Sequence, residues 1–196
     1  MDTVSSMVDM ETVLAQRIAR ERAERGWSLA DVAGRSGVSR SMLSKIERQE
    51  VSPTTAVLVR IATAFGITLA ELLTAPTTTD SRLARAADQP IWTDPQTGYR
   101  RRQIYLSGAM PLELTEIELP AGTSVAVPGY SYELIRQIVW VQKGRLTISE
   151  GGSRTTLEHG DRLEFGSPSD VVFENEGDRP CLYVVAVLRM AGRLSV

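Results

Sequence analysis

A chain of 196 residues and 21.5 kDa is too long for one small helical domain and has room for two modules of roughly 70 to 120 residues. Hydrophobic residues at 42% and charged residues at 23% exclude a disordered chain, and a net charge of −2 excludes a bulk polycation, so any binding of nucleic acid must come from a local arrangement. The single Cys181 excludes a disulfide framework and a four-cysteine zinc site, and the single His159 excludes most sites built on several imidazoles.

The opening residues Met1-Asp2-Thr3-Val4-Ser5-Ser6 carry no basic segment and no long apolar core, which argues against a signal peptide. The longest apolar run, Cys181 to Leu188, is far short of a membrane span, and a cytoplasmic protein is expected. Residues 10–73 show helical periods and caps that predict five short helices. Leu14 and Ile18 share a face of the first, which ends at Gly26. Ser28 and Asp31 resemble a capping box for the second, which stops near Gly37. Ser39 caps the third, with Val38 and Leu43 as its hydrophobic staple. Pro53 stands at the entrance of the fourth, whose stripe is Leu58, Ile61, Ala62 and Phe65 and whose end is Gly66. Thr68 and Glu71 box the fifth, with Ile67 and Leu72 as its staple. None of these helices is long enough to stand alone, so they must pack as one unit.

The third helix decides the functional reading. At about 100° per residue, Arg40, Ser41, Ser44, Lys45 and Arg48 fall within an arc of roughly 140°, with Leu43 and Ile46 opposite. One face anchors in a core while the other offers three cations and two hydroxyls. A short helix, the turn Gly37-Val38-Ser39 and this basic helix form a helix-turn-helix, whose second helix fits the major groove of DNA. Arg22 lies on the same stripe as Leu14 and Ile18, and Glu47 flanks the apolar side of the third helix, so the two are expected to pair as a structural salt bridge. Arg25 is a rival partner for Glu47, but its place in the last turn lets it snorkel to water.

Residues 14–73 resemble the XRE (lambda-repressor-like) family of helix-turn-helix domains. The resemblance rests on Arg22-x-x-x-Gly26-Trp27-Ser28-Leu29, Gly37-Val38-Ser39-x-Ser41-x-Leu43-Ser44-x-Ile46-Glu47, Pro53, Ile61-Ala62 and Leu69-x-x-Leu72. It implies that the Arg and Glu pair, that Arg40, Ser41 and Lys45 face bases, and that Ser28, Ser39 and Arg48 lie near phosphates. Leu29 and Ser44 complete the expected DNA-binding set. Gln49-Glu50 departs from the pattern, which commonly has a glycine and a basic residue there.

Residues 74–98, with Pro76, Thr77-Thr78-Thr79, Pro90, Asp94-Pro95 and Gly98, read as a linker with a short helical turn around Leu83. Residues 99–190 then predict strands near 100–106, 112–119, 123–127, 135–142, 145–149, 154–157, 161–165, 171–174 and 181–188, the pattern of a β-sandwich or barrel. Leu119-Pro120-Ala121-Gly122, Val139 to Leu146, Leu157-x-x-Gly160-Asp161 and Asn175 resemble a small cupin, a jelly-roll often fused behind this type of DNA-binding domain. The fold expectation is thus multidomain, an all-α five-helix domain followed by an all-β jelly-roll.

The cupin resemblance places a metal's ligands at Pro128, Tyr130, Gln137 and Val171, none of them a good donor, so no metal, no cofactor and no enzyme activity are expected. His159 reads as a surface residue and Cys181 as a small core residue. Strand alternation puts Gln137, Val139 and Val141 on the inner face. Tyr130, Gln137, Val139, Val171 and Phe173 are the expected effector pocket, and Arg102, from the triplet Arg100-Arg101-Arg102, is its expected cation. Two alternatives stay open there: a solvated triplet and a filled core. The expected function is a dimeric regulator that binds an operator as double-stranded DNA and senses a small molecule. Its rivals are an antitoxin-like binder with the barrel as dimer clamp, and a cupin enzyme.

Overall fold

The computed structural model describes residues 3–74, 82–106 and 110–190, which fall into two compact units, 1–96 and 97–196. Among the described residues no helix is long and apolar enough to cross a membrane.

The first unit holds α1 (Thr3–Glu24), α2 (Leu29–Ser36), α3 (Arg40–Glu47), α4 (Thr55–Phe65), α5 (Leu69–Leu73) and a short strand β1 (Ile91–Thr93). Leu14, Ile18, Val32, Leu43, Ile46, Leu58, Ile61, Phe65 and Leu72 are its buried core. α1 starts before residue 10, because the helix continues past the reach of the Leu14 and Ile18 stripe that marks it in sequence. Both capping boxes form, Ser28 with Asp31 and Thr68 with Glu71. The hydrogen bond from Ser28 holds the Asp31 carboxyl below its ordinary range. The orphan N–H groups at the start of α4 are met differently. Thr54 makes no side-chain cap there. The buried Asp94 carboxylate instead accepts from the backbone N–H and the hydroxyl of Thr55, both at 2.6 Å.

The segment expected as a linker therefore supplies a buried cap to a helix 39 residues upstream. Its helical turn lies at Ala86–Asp88, past Leu83. Residues 75–81, with Pro76 and the three threonines, lie outside the described residues.

The second unit holds β2 (Arg100–Leu106), β3 (Leu112–Leu119), β4 (Thr123–Val127), β5 (Ile135–Lys143), β6 (Leu146–Glu150), β7 (Ser153–Leu157), β8 (Arg162–Glu164), β9 (Val171–Asn175) and β10 (Cys181–Arg189). Within it, β2-β3-β10-β5-β8 form one antiparallel sheet and β4-β9-β6-β7 another. The nine expected strands are all present, in the all-β jelly-roll layout. Buried residues alternate along β3, β5, β9 and β10, so each strand turns one row inward. Cys181 is fully buried in this core, and burial pushes its thiol up to about 11, which keeps it protonated and inert at neutral pH.

Candidate nucleic-acid interface

α3 is short, and its caps set where it starts and stops. The Ser39 hydroxyl accepts from the Met42 N–H at 3.2 Å and opens the helix. At the other end Gln49 N–H donates to Ile46 O at 2.9 Å and Glu50 N–H to Lys45 O at 2.8 Å, the paired bonds of a Schellman motif. That motif requires a left-handed residue, and here Gln49 takes it at φ 61°, the one non-glycine residue with positive φ among those described. Between the caps Leu43 and Ile46 are buried, while Arg40, Ser41 and Lys45 are exposed.

The left-handed glutamine makes a first prediction. Gln49→Gly removes the Cβ penalty and should raise stability by about 0.5–1 kcal/mol. The side chain's contact with the Thr12 hydroxyl, 3.0 Å, is exposed and worth little by comparison. A urea midpoint that falls instead of rising would show that this contact outweighs the strain.

α3 is clamped to α1 from behind. Arg22 Nε donates to Glu47 Oε1 at 2.7 Å and Nη2 to Oε2 at 2.8 Å, a bidentate pair. The pair raises the Arg22 pKa, hydrogen bonding to Glu47 outweighing burial. Arg22 Nη1 also donates to Trp27 O at 3.2 Å, just past the end of α1. Arg25 does not snorkel to water. It pairs with the buried Glu21 at 2.5 Å and donates to Phe65 O, the last carbonyl of α4, at 2.7 Å. The physical reason is the neighbouring rings: its guanidinium lies 5.2 Å from the Phe65 centroid and 5.7 Å from that of Trp27.

The expected DNA-facing residues differ in how free they are. Arg40 and Lys45 make no ion pair among the described residues. Ser39 and Ser28 are occupied as caps, and Leu29 begins α2 half-buried. Ser41 lies 3.2 Å from the Ser39 hydroxyl. Arg48 is engaged: it donates to Ser44 Oγ and, at 2.6 and 3.0 Å, to both oxygens of Glu50. Those bonds raise the Arg48 pKa and lower that of Glu50. The departure at residue 50 thus puts a carboxylate on a cation that the resemblance assigns to a phosphate.

The α2–α3 turn is close-fitting at Gly37. Its φ is 64°, and a Cβ there would meet the end of the Arg60 side chain, whose Nε donates to Ser36 O at 2.9 Å.

In the second unit Gln137, Val139, Val171 and Phe173 are buried on inner faces. Two of the expected pocket residues are not. Tyr130 is 46% exposed, because Gly129–Tyr132 is a turn of 3₁₀ helix, and within it Tyr132 is the tyrosine that turns in. Arg102 points outward and pairs with Glu116 at 2.5 Å, while Arg101, between Arg100 and Arg102, takes the inner side. Val139, Val171 and Phe173 thus share an interior with Tyr132 and Arg101, residues that sequence reasoning missed. His159 is exposed and its Nδ1–H donates to Gln142 O at 2.7 Å. Among the described residues no three His, Cys, Asp or Glu side chains cluster as metal ligands.

Comparison with known proteins falls on the same two units. Residues 18–72 match the helix-turn-helix family HTH_3. The HTH-type transcriptional regulator SutR of Escherichia coli (strain K12) is 26% identical over 179 residues, 88% of this chain and 93% of that protein. An uncharacterized HTH-type transcriptional regulator of Sinorhizobium fredii, y4dJ, is 37% identical over 67 residues, 34% of this chain and 87% of its own. An HTH_3 family transcriptional regulator from Vibrio cholerae has the same fold in its crystal structure, with a TM-score of 0.77 at 21% identity, over 94% of this chain and 99% of that one.

Proposed function

Because the chain belongs to the HTH_3, XRE-type family of helix-turn-helix transcriptional regulators, we propose that it binds an operator as a cytoplasmic homodimer, with α3 in the major groove. Residues 10–73 are the DNA-binding part and residues 99–190 the part that dimerises and senses a small molecule, without metal and without catalysis. One observation carries the reading: Arg40 and Lys45 stand exposed, with no ion pair among the described residues, on a helix whose other side is fixed by Leu43, Ile46 and the Arg22–Glu47 pair. Unpaired cations on a rigid helix suit base edges, since no ion pair must break before they bind. Arg48 has Glu50 to leave first, so its gain from a phosphate is smaller. Metal-free sensing is supported by the donor chemistry, since the cupin resemblance puts Pro128, Tyr130, Gln137 and Val171 at a metal's ligand places, and none is a good donor.

The test begins with selection of bound sequences from a random DNA pool. On the selected site Arg40→Ala and Lys45→Ala should each cost about 1–3 kcal/mol of binding. A base contact shows as relaxed preference at one position, and a phosphate contact as uniform loss across sequences. Full affinity in both variants would overturn the assignment of α3. Stoichiometric iron, manganese or zinc in the purified protein would overturn the metal-free reading.

A further inference from the structure

We propose that the interior of the second unit binds a small organic carboxylate with an apolar or aromatic body, and that Arg101 is its counter-ion. This rests on the small-molecule sensing proposed above and names the class of molecule sensed. The register fixes which arginine faces in. Arg100 and Arg102 lie opposite Glu118 and Glu116 and pair with them on the outer side, at 3.9 and 2.5 Å. Arg101 lies opposite Ile117, which is opposite Tyr183, which is opposite Val141, all three buried. Its guanidinium donates to the Tyr99 hydroxyl at 3.0 Å and to Thr115 Oγ1 at 3.4 Å. No described carboxylate pairs with it. The carboxylates nearest the interior have other partners: Glu113 lies 3.5 Å from Arg189 Nε, and Glu150 accepts from Gly166 N–H at 2.9 Å. Glu113 is two residues from Thr115 on the same face of β3, roughly 7 Å along the strand.

A second feature points to the same ligand. Gln137 is 7% exposed on the inner face of β5, and its amide N–H₂ meets only the Tyr132 hydroxyl among the described residues. An amide N–H₂ carries two donors, so a buried one beside a single hydroxyl still has an N–H to place, and a ligand oxygen supplies the acceptor. Tyr132, beside this amide, also feels the charge of Arg101, so the two donors belong to one polar region. The wall around it is aromatic: Tyr132, Phe165, Phe173 and Tyr183 form a chain of rings with centroids 6.0 to 6.1 Å apart. An apolar wall carrying one guanidinium without a carboxylate partner and one amide beside it matches a molecule with one anionic end.

The experiment uses the full chain and titrates benzoate, benzamide and benzylamine by calorimetry, with a melting curve for each. Benzoate should bind, and benzamide and benzylamine should bind at least tenfold more weakly. Arg101→Gln should weaken benzoate about 10- to 100-fold, Arg101→Lys less, and Gln137→Leu measurably, because a guanidinium–carboxylate fork is lost only in part by the ammonium. Arg102→Gln, on the outer side, should leave binding unchanged. If Arg101→Gln does not fold, Arg101→Lys and Gln137→Leu carry the test alone. Benzoate affinity unchanged in the folded Arg101 and Gln137 variants would overturn the proposal. Binding of benzamide or benzylamine in preference to benzoate would also overturn it while leaving the sensing reading standing. Failure of all three probes would overturn the proposal, and a wider metabolite screen without a hit would then remove the sensing reading as well.

Discussion

Glu47→Ala is expected to lower the stability of residues 10–73 by about 2–3 kcal/mol, through the charge it leaves behind. Glu47 accepts two of the three side-chain hydrogen bonds of Arg22, at 2.7 and 2.8 Å, and only the 3.2 Å bond to Trp27 O survives its removal. The Arg22 side chain is 24% exposed, so water recovers part of the loss, and the cost falls below that of a fully buried pair. For a helical unit of this size the melting point should drop by roughly 10 to 20 °C. Far-UV circular dichroism at the helix band reads it, since the described residues of the second unit hold strands and one 3₁₀ turn and no α-helix. Glu47→Gln keeps one acceptor and should lose less. The double variant Arg22→Met with Glu47→Leu should recover much of the loss, because no charge is then stranded. An unchanged melting curve for Glu47→Ala would refute the clamp and, with it, the fixed presentation of Arg40 and Lys45.

The parts of this molecule that were legible in sequence are those set by neighbours in the chain. Ser28 with Asp31, Thr68 with Glu71 and the staple of Val38 and Leu43 are three- to five-residue signals, and they locate α2, α3 and α5 because a helix end must satisfy its own N–H groups nearby. The nine strands of the second unit follow from alternation and turns for the same reason. What failed was parity. A period of two shows that the arginine triplet alternates, but which member faces in depends on the register with β3. The signal was available in part: Glu116 and Glu118 lie on one face of β3, and a triplet that pairs its outer arginines with them must turn Arg101 inward. Tyr130 failed for another reason: its place came from counting along the cupin resemblance, and residues 129–132 form a 3₁₀ turn between β4 and β5 whose side-chain directions such a count does not give. Asp94 had no local signal at all. A carboxylate that caps a helix 39 residues away is set by tertiary placement, and its Asp-Pro context reads only as a turn. The Gln49-Glu50 departure was visible as letters. Its consequences, a left-handed glutamine and a carboxylate on Arg48, required the geometry.

Trp140→Arg should convert the protein to a monomer and weaken operator binding by about 10²–10⁴-fold, the share that a linked second head contributes. The proposed dimer, with two heads on half-sites one helical turn apart, requires a joint, and the outer face of the larger sheet has the composition of one. There the register sets Leu114, Ala186 and Ile138 in one row, Glu116, Val184 and Trp140 in the next, and Leu112, Leu188 and Arg136 on the other side. Ile138, Trp140 and Leu188 are 38%, 49% and 46% exposed, apolar side chains on the outer face of the adjacent strands β5 and β10. The margin is charged: Arg102 with Glu116 towards β2, and Arg162 and Glu164 on β8. An apolar centre inside a polar margin suits a partner that presents the same surface, and a second copy related by a two-fold axis does so. An arginine at the centre would face its own copy across that axis and leave two like charges desolvated. Sedimentation equilibrium of the wild type and the variant separates the cases. A dimer that persists in Trp140→Arg would place the joint elsewhere. A monomeric variant with unchanged operator affinity would mean that one head suffices, and the two-fold operator would then be the part of the reading to abandon.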